Sequence, residues 1–146
     1  MERATSNSDD VRPIIHMIDS ESDEITSLAM RMEERNPKVA ELLFEELGRA
    51  ELHSLNDMPS GIVTMNCKVE FADERSGSQR TVELVYPHNA DIEKSRISIF
   101  TPIGAGLIGM AEGETIAWPD RSGVEHKLRI VKVTPPKGEQ LENTEA

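Results

Sequence analysis

Apolar residues along this 146-residue chain follow two different periods. Up to about residue 55 they recur at helical spacing, with Ile25, Leu28, Ala29 and Met32 on one stripe and Val39, Leu42, Leu43, Leu47 and Ala50 on another. The first stripe predicts a helix opening near residues 20–22, where Ser and Asp side chains offer N-cap oxygens and Asp23 and Glu24 complement the helix dipole. Asn36-Pro37 supplies a cap and a first-turn proline for a second helix running to about residue 53, roughly 25 Å at about 1.5 Å per residue. Joined only by residues 34–36, two such helices must lie antiparallel as a helical hairpin. Isolated helices of this size are marginal, so the hairpin also needs the sheet for support.

At Asn56-Asp57-Met58-Pro59-Ser60-Gly61 turn formers cluster, and beyond them the apolar positions alternate. Strands are expected over 63–71, 81–86, 96–100, 115–118 and 124–133, with hairpin loops at 73–78 and 119–123 where Gly, Ser and Asp gather. One short helix, 103–110, interrupts them. The class is therefore α+β: an N-terminal helical hairpin over 15–58, then an antiparallel sheet domain over 59–134. Residues 1–14 and 135–146 are polar, lack periodicity and read as disordered tails.

Charge narrows the function. Twenty-seven acidic against 16 basic residues leave a net charge of −11, which repels phosphate backbones and anionic lipid and argues against direct sequence-specific DNA binding. Most of the acidity lies in the first 60 residues. A single cysteine, Cys67, allows no intramolecular disulfide and points to the reducing cytoplasm. No window approaches the roughly 18 apolar residues of a membrane span, and residues 1–20 do not form a signal peptide. Nothing demands more than a monomer.

The densest information lies in Ile97-Ser98-Ile99-Phe100-Thr101-Pro102-Ile103-Gly104-Ala105-Gly106-Leu107-Ile108-Gly109, followed by Glu112-Gly113-Glu114. It reads as an alternating strand, a Thr-Pro break, a short helix of small and aliphatic residues, a Gly stop and a Gly-Glu turn into another strand. This order resembles the C-terminal domain of the bacterial Gre transcript-cleavage factors, whose signature runs roughly Ile-Ser, Ser-Pro, a small-residue helix ending Leu-Leu-Gly, then Gly-Asp. The likeness begins at Val63-Thr64-Met65-Asn66 and continues through 124–133. With so short an N-terminal part, it points within that family to the Rnk group, the nucleoside diphosphate kinase regulators.

The resemblance implies an FKBP-like arrangement of sheet and short helix, and a surface for RNA polymerase at the loop before that helix. Carried over, the family's Ser-Pro falls on Thr101-Pro102 and the next apolar position on Ile103, with Phe100 and Gly104 flanking. Phe100 stands where many cleavage factors have an acid, implying a more apolar dock. A packing reading accounts for the same residues: Pro102 starts a helix, and Gly104, Ala105 and Gly106 are small so that it can approach the sheet. The two readings are compatible, because a rigid loop binds better than a floppy one.

Cleavage factors also carry a much longer coiled coil whose acidic tip helps to hold a catalytic Mg²⁺ in the polymerase active centre. Here the tip reads Glu33-Glu34-Arg35-Asn36-Pro37-Lys38, with adjacent acids beside two bases rather than an acid, two spacers and an acid. An ordinary solvated helix end, partly neutralised by its neighbours, explains it better than a polymerase contact does. An FKBP-like isomerase would need an aromatic-lined pocket, and this chain has three Phe, one Tyr and one Trp in all.

Other chemistry is not signalled. His16, His53, His88 and His126 lie in four separate elements without metal-ligand spacing, so no metal site is read from the sequence. Cys67 sits in an alternating strand without a flanking base, and no Gly run continues into the Lys-Ser/Thr of a P-loop. The resulting expectation is a non-enzymatic, cofactor-free, cytoplasmic transcription regulator. It would bind RNA polymerase near the secondary channel and compete with Gre-type factors without stimulating cleavage. A genuine cleavage stimulator and an FKBP-like adaptor are the alternatives.

Overall fold

A computed structural model describes residues 14–119 and 124–136. The expected tails lie outside the described residues except for Ile14, Pro135 and Pro136, as do residues 120–123 of the expected 119–123 loop. The described chain is α+β, with three α-helices and two sheets.

Strand β1 (His16–Ile18) runs straight into helix α1 (Asp19–Met32). The helix starts ahead of the expected Ser cap, and Ile18 at the N-cap gives no side-chain hydrogen bond. Strand pairing fixes the chain direction there instead, while Asp19 and Glu21 put negative charge in the first turn. Helix α2 (Pro37–Arg49) opens as its sequence requires: Asn36 Oδ1 accepts from the Val39 N–H at 3.3 Å, and Pro37 occupies the first turn. The helices pack on each other through the two stripes. Ile25, Leu28, Ala29, Val39 and Leu43 are buried, and Met32, Leu42, Leu47 and Ala50 pack partly buried against them.

Helix α2 is shorter than expected, about 20 Å at about 1.5 Å per residue. Ala50 turns extended with ψ 141°, and strand β2 (Glu51–His53) follows. It pairs in parallel with β1, in the register His16 to Glu51, Met17 to Leu52 and Ile18 to His53. This two-stranded ribbon joins the beginning of α1 to the end of α2.

The second sheet has the order β5-β4-β3-β7-β6, from β3 (Lys68–Asp73), β4 (Gln79–Val85), β5 (Arg96–Ser98), β6 (Thr115–Pro119) and β7 (Glu125–Thr134). The 73–78 loop closes β3 and β4 as expected, with Asp73 Oδ1 accepting from the Arg75 N–H. The sheet is not wholly antiparallel, because β5 joins β4 in parallel. Two 3₁₀ turns, Pro87–Asn89 and Ile92–Lys94, carry the chain back between them, and Ser95 closes the crossover in the left-handed region at φ 58°. The strand expected from residue 63 begins at Lys68. Residues before it run instead beside the end of helix α3 (Pro102–Leu107), where the Gly109 N–H donates to Val63 O at 2.9 Å and the Val63 N–H to Met110 O at 2.8 Å.

One apolar cluster unites both parts, including Ile25 and Leu43 from the helices, Val69 and Phe71 from β3, and Leu107 after the small residues of α3. Polar contacts align them: Glu21 Oε1 accepts from the Met65 N–H at 3.1 Å, and the Tyr86 hydroxyl donates to Glu24 Oε1 at 2.7 Å. The tightest junction is Gly109, at φ 82°, where a Cβ would lie 2.7 Å from Ile15 Cβ. The His16 N–H donates to its carbonyl at 3.1 Å.

Gly109→Ala is expected to destabilise the protein by about 3 kcal/mol, combining left-handed strain with overpacking. Gly48→Ala, at a helical position with nothing within 4 Å, is expected to be neutral or to stabilise by up to about 1 kcal/mol. Urea midpoints at unchanged slope would measure both; equal midpoints for the two variants would contradict the packing described.

Candidate functional site

The Thr-Pro corner is built by three local hydrogen bonds. Ser98 Oγ accepts from the Phe100 N–H at 2.9 Å, which turns the chain as it leaves β5. The Thr101 hydroxyl donates to Ser98 O at 2.7 Å and accepts from the Gly104 N–H at 3.1 Å, so one side chain closes the turn and caps α3. Pro102 occupies the first helical turn, where a missing N–H is harmless. A Cβ on Gly104 would lie 2.3 Å from Ser98 O, so only glycine permits this approach.

The five corner residues divide into two layers. Pro102 is exposed, and Thr101 and Ile103 are half-buried. Phe100 and Gly104 are buried beneath them, Phe100 within the apolar cluster. The aromatic ring therefore supports the corner from inside and adds no apolar surface to it. The exposed layer offers a proline ring, an aliphatic side chain and no charge, on a backbone with few remaining conformations.

Glu33, Glu34, Arg35 and Lys38 are all exposed at the turn between α1 and α2. The Arg35 and Asn36 N–H groups both donate to Met32 O, at 3.0 and 3.2 Å, which holds the turn tight. Among the described residues no ion pair engages these four side chains. Their geometry supplies two adjacent solvated carboxylates flanked by cations, not a converging pair.

Burial raises the Cys67 thiol to about 11, mainly by desolvation, so it is a protonated packing group. A groove of ≈ 770 Å³ between α1 and the 55–66 segment is lined by residues such as Met58, Ile62 and Met65, with no Phe, Tyr or Trp.

The histidines are not scattered in space as they are in sequence. His126 Nδ1 lies 2.6 Å from Asp73 Oδ2. Burial pushes that carboxyl up, but the Arg75 N–H, His126 and the Ser76 N–H outweigh it and hold it below its usual value. His88 stacks on Tyr86. His16 and His53 meet across the β1–β2 ribbon with Glu51 beside them. Linear spacing could not reveal this group, since 37 residues separate the two imidazoles. The one local signal is Glu51-Leu52-His53, an alternation that places Glu51 and His53 on the same face of a strand.

Comparison with known proteins agrees with the corner's sequence order. The family model described as transcription elongation factor, GreA/GreB, C-terminal, matches residues 58–135. The regulator of nucleoside diphosphate kinase from Escherichia coli strain K12 is 32% identical over 122 residues, covering 84% of this chain and 90% of that protein. The transcription elongation factor GreA of Acidiphilium cryptum strain JF-5 is 33% identical over 104 residues, 71% of this chain and 66% of that one. The solved structure of a prokaryotic transcription elongation factor GreA/GreB from Nitrosomonas europaea superposes with a TM-score of 0.70 at 33% identity, covering 85% of this chain and all of that one. The matched segment contains the whole Ser98-to-Gly104 corner and takes in more than half of the chain, and the likeness to the regulator extends across the helices: the chain belongs to the GreA/GreB transcription elongation factor family.

Proposed function

We propose that this protein is a non-enzymatic transcription regulator that binds RNA polymerase at the mouth of its secondary channel through the 101–104 corner. The observation that carries this reading is the corner itself. Thr101 and Gly104 lock its backbone while Pro102 is exposed and Ile103 is partly so. Preorganisation of this kind removes most of the ordering entropy that binding otherwise costs. The contact is small and apolar, which suits a chain whose net charge of −11 disfavours nucleic acid.

On this reading, α1 and α2 act as a short antiparallel arm over 15–58, and residues 59–134 form a body arranged like FKBP-type prolyl isomerases. The arm, about 20 Å long, enters only the channel mouth. Glu33 and Glu34 stay away from the active centre, with Arg35 and Lys38 beside them. Occupying the site used by Gre-type factors excludes them without any catalysis, so competition is the regulatory act. The protein works as a cytoplasmic monomer that needs no cofactor to bind polymerase, and any effect on nucleotide metabolism is indirect, through transcription.

Pro102→Ala combined with Ile103→Asp is expected to weaken binding to core RNA polymerase at least tenfold, about 1.4 kcal/mol, with circular dichroism unchanged. Unaltered affinity would remove the docking assignment. Thr101→Val should cost about 1–2 kcal/mol of stability through loss of the cap, and should weaken polymerase binding as well because the corner loosens.

In halted transcription complexes the protein is expected to displace a Gre factor without shortening the transcript. Mg²⁺-dependent shortening that disappears in Glu33→Gln or Glu34→Gln would establish the cleavage-stimulating role instead.

A further inference from the structure

The β1–β2 ribbon assembles a group of side chains that the polymerase reading does not use. Parallel register sets His16 beside Glu51, and the two-residue strand period returns His53 to the same face as Glu51. The three donor atoms form a compact triangle. His16 Nδ1 lies 2.9 Å from His53 Nε2 and 3.2 Å from Glu51 Oε1, and His53 Nε2 lies 3.7 Å from the same oxygen.

These separations match the face of a coordination tetrahedron. Zinc bound at about 2.0–2.1 Å to imidazole nitrogen and carboxylate oxygen spaces its ligands about 3.3 Å apart. The observed edges scatter around that value. Without a cation, two imidazole nitrogens at 2.9 Å can share only one proton between them. A divalent ion would satisfy both lone pairs and the carboxylate together.

The frame is held in advance by backbone bonds: the His16 N–H donates to Gly109 O at 3.1 Å and the Glu51 N–H to Ile15 O at 2.8 Å. Ligand side chains projecting from paired strands need little reorganisation to receive an ion. Access is open on one side, because the His16 and His53 side chains are 26% and 21% exposed and Glu51 is 61% exposed. The net charge of −11 enriches cations around the molecule.

We infer that His16, Glu51 and His53 form a binding site for a divalent transition-metal ion of the zinc class, with a fourth position open to water. Two imidazoles and one carboxylate suit Zn²⁺ and its Irving–Williams neighbours, whereas Mg²⁺ and Ca²⁺ require more oxygen ligands. Because β1 leads into α1 and β2 leaves α2, the ion clamps the two ends of the helix pair together. The site is independent of polymerase binding and holds or fails separately from it.

The test is a Co²⁺ titration of the full chain, free of any polyhistidine tag, followed by visible absorption and displacement with Zn²⁺. One Co²⁺ per chain with strong tetrahedral-type bands, displaced by one Zn²⁺, is expected. His53→Ala should weaken binding at least about a hundredfold, since even outer partners of metal ligands contribute about 10–100-fold. Glu51→Gln alters a mostly exposed side chain, so it can be read even if a histidine variant fails to fold; it should weaken binding at least about tenfold. His88→Ala should leave binding unchanged. Zinc in hundredfold excess over its dissociation constant should raise the melting temperature of the unmodified chain by about 5 °C or more, and raise that of Glu51→Gln by no more than about half as much at the same concentration. Absence of tetrahedral bands in the unmodified chain, or equal affinity in Glu51→Gln, would overturn the inference.

Discussion

The close approach of Ile15 to Gly109 governs how the two parts of this molecule meet. A Cβ at residue 109 would stand 2.7 Å from Ile15 Cβ, and the glycine also supplies the left-handed turn that ends the segment after α3. Its N–H bonds Val63 and its carbonyl accepts from His16, so a single residue joins the lead-in to α1, the start of the sheet domain and the end of the short helix. With β1 fixed there, β2 can pair beside it, and the two helices are held at both open ends. Glu21 and Glu24 then orient α1 over the domain through Met65 and Tyr86. Carboxylates on this acidic helix thus act as structural ties as well as solvating charge.

The same economy of space shapes the corner at 98–104. Gly104 is needed because the backbone of α3 passes against Ser98, and Thr101 is needed because its hydroxyl both donates and accepts. Packing therefore fixes both residues, and on the proposed reading recognition makes the same demand. A buried layer of Phe100 and Gly104 supports an exposed layer centred on Pro102. This division lets a motif rich in small and buried residues keep an exposed layer at its surface.

Much of this was legible in the chain because burial there is local. The stripes of α1 and α2, the Asn36-Pro37 cap and the Asp73 turn all declare themselves within a few residues, as does the Thr-Pro start of α3. The features that were not legible depend on distant partners. Strand β2 is only three residues long and mostly exposed, so residues 51–53 read as a continuation of the helix until β1 is placed beside them. The parallel pairing of β5 comes from a crossover with two 3₁₀ turns and a left-handed Ser95, none of which has a strong composition signal. Phe100 read as part of a more apolar dock because the family resemblance places that position beside the Ser-Pro, and the Ser98 turn redirects its ring inward. The His16, Glu51 and His53 group has the same origin as β2: its members become neighbours only through the ribbon register.

On the proposed reading, a preorganised, uncharged corner is the part of this chain that meets RNA polymerase. An electron cryomicroscopy structure of the chain bound to core RNA polymerase tests it most directly. Pro102 and Ile103 are expected to sit on polymerase at the mouth of the secondary channel, with Glu33 and Glu34 short of the active centre. A complex in which the corner faces solvent while another surface carries the contact would contradict it.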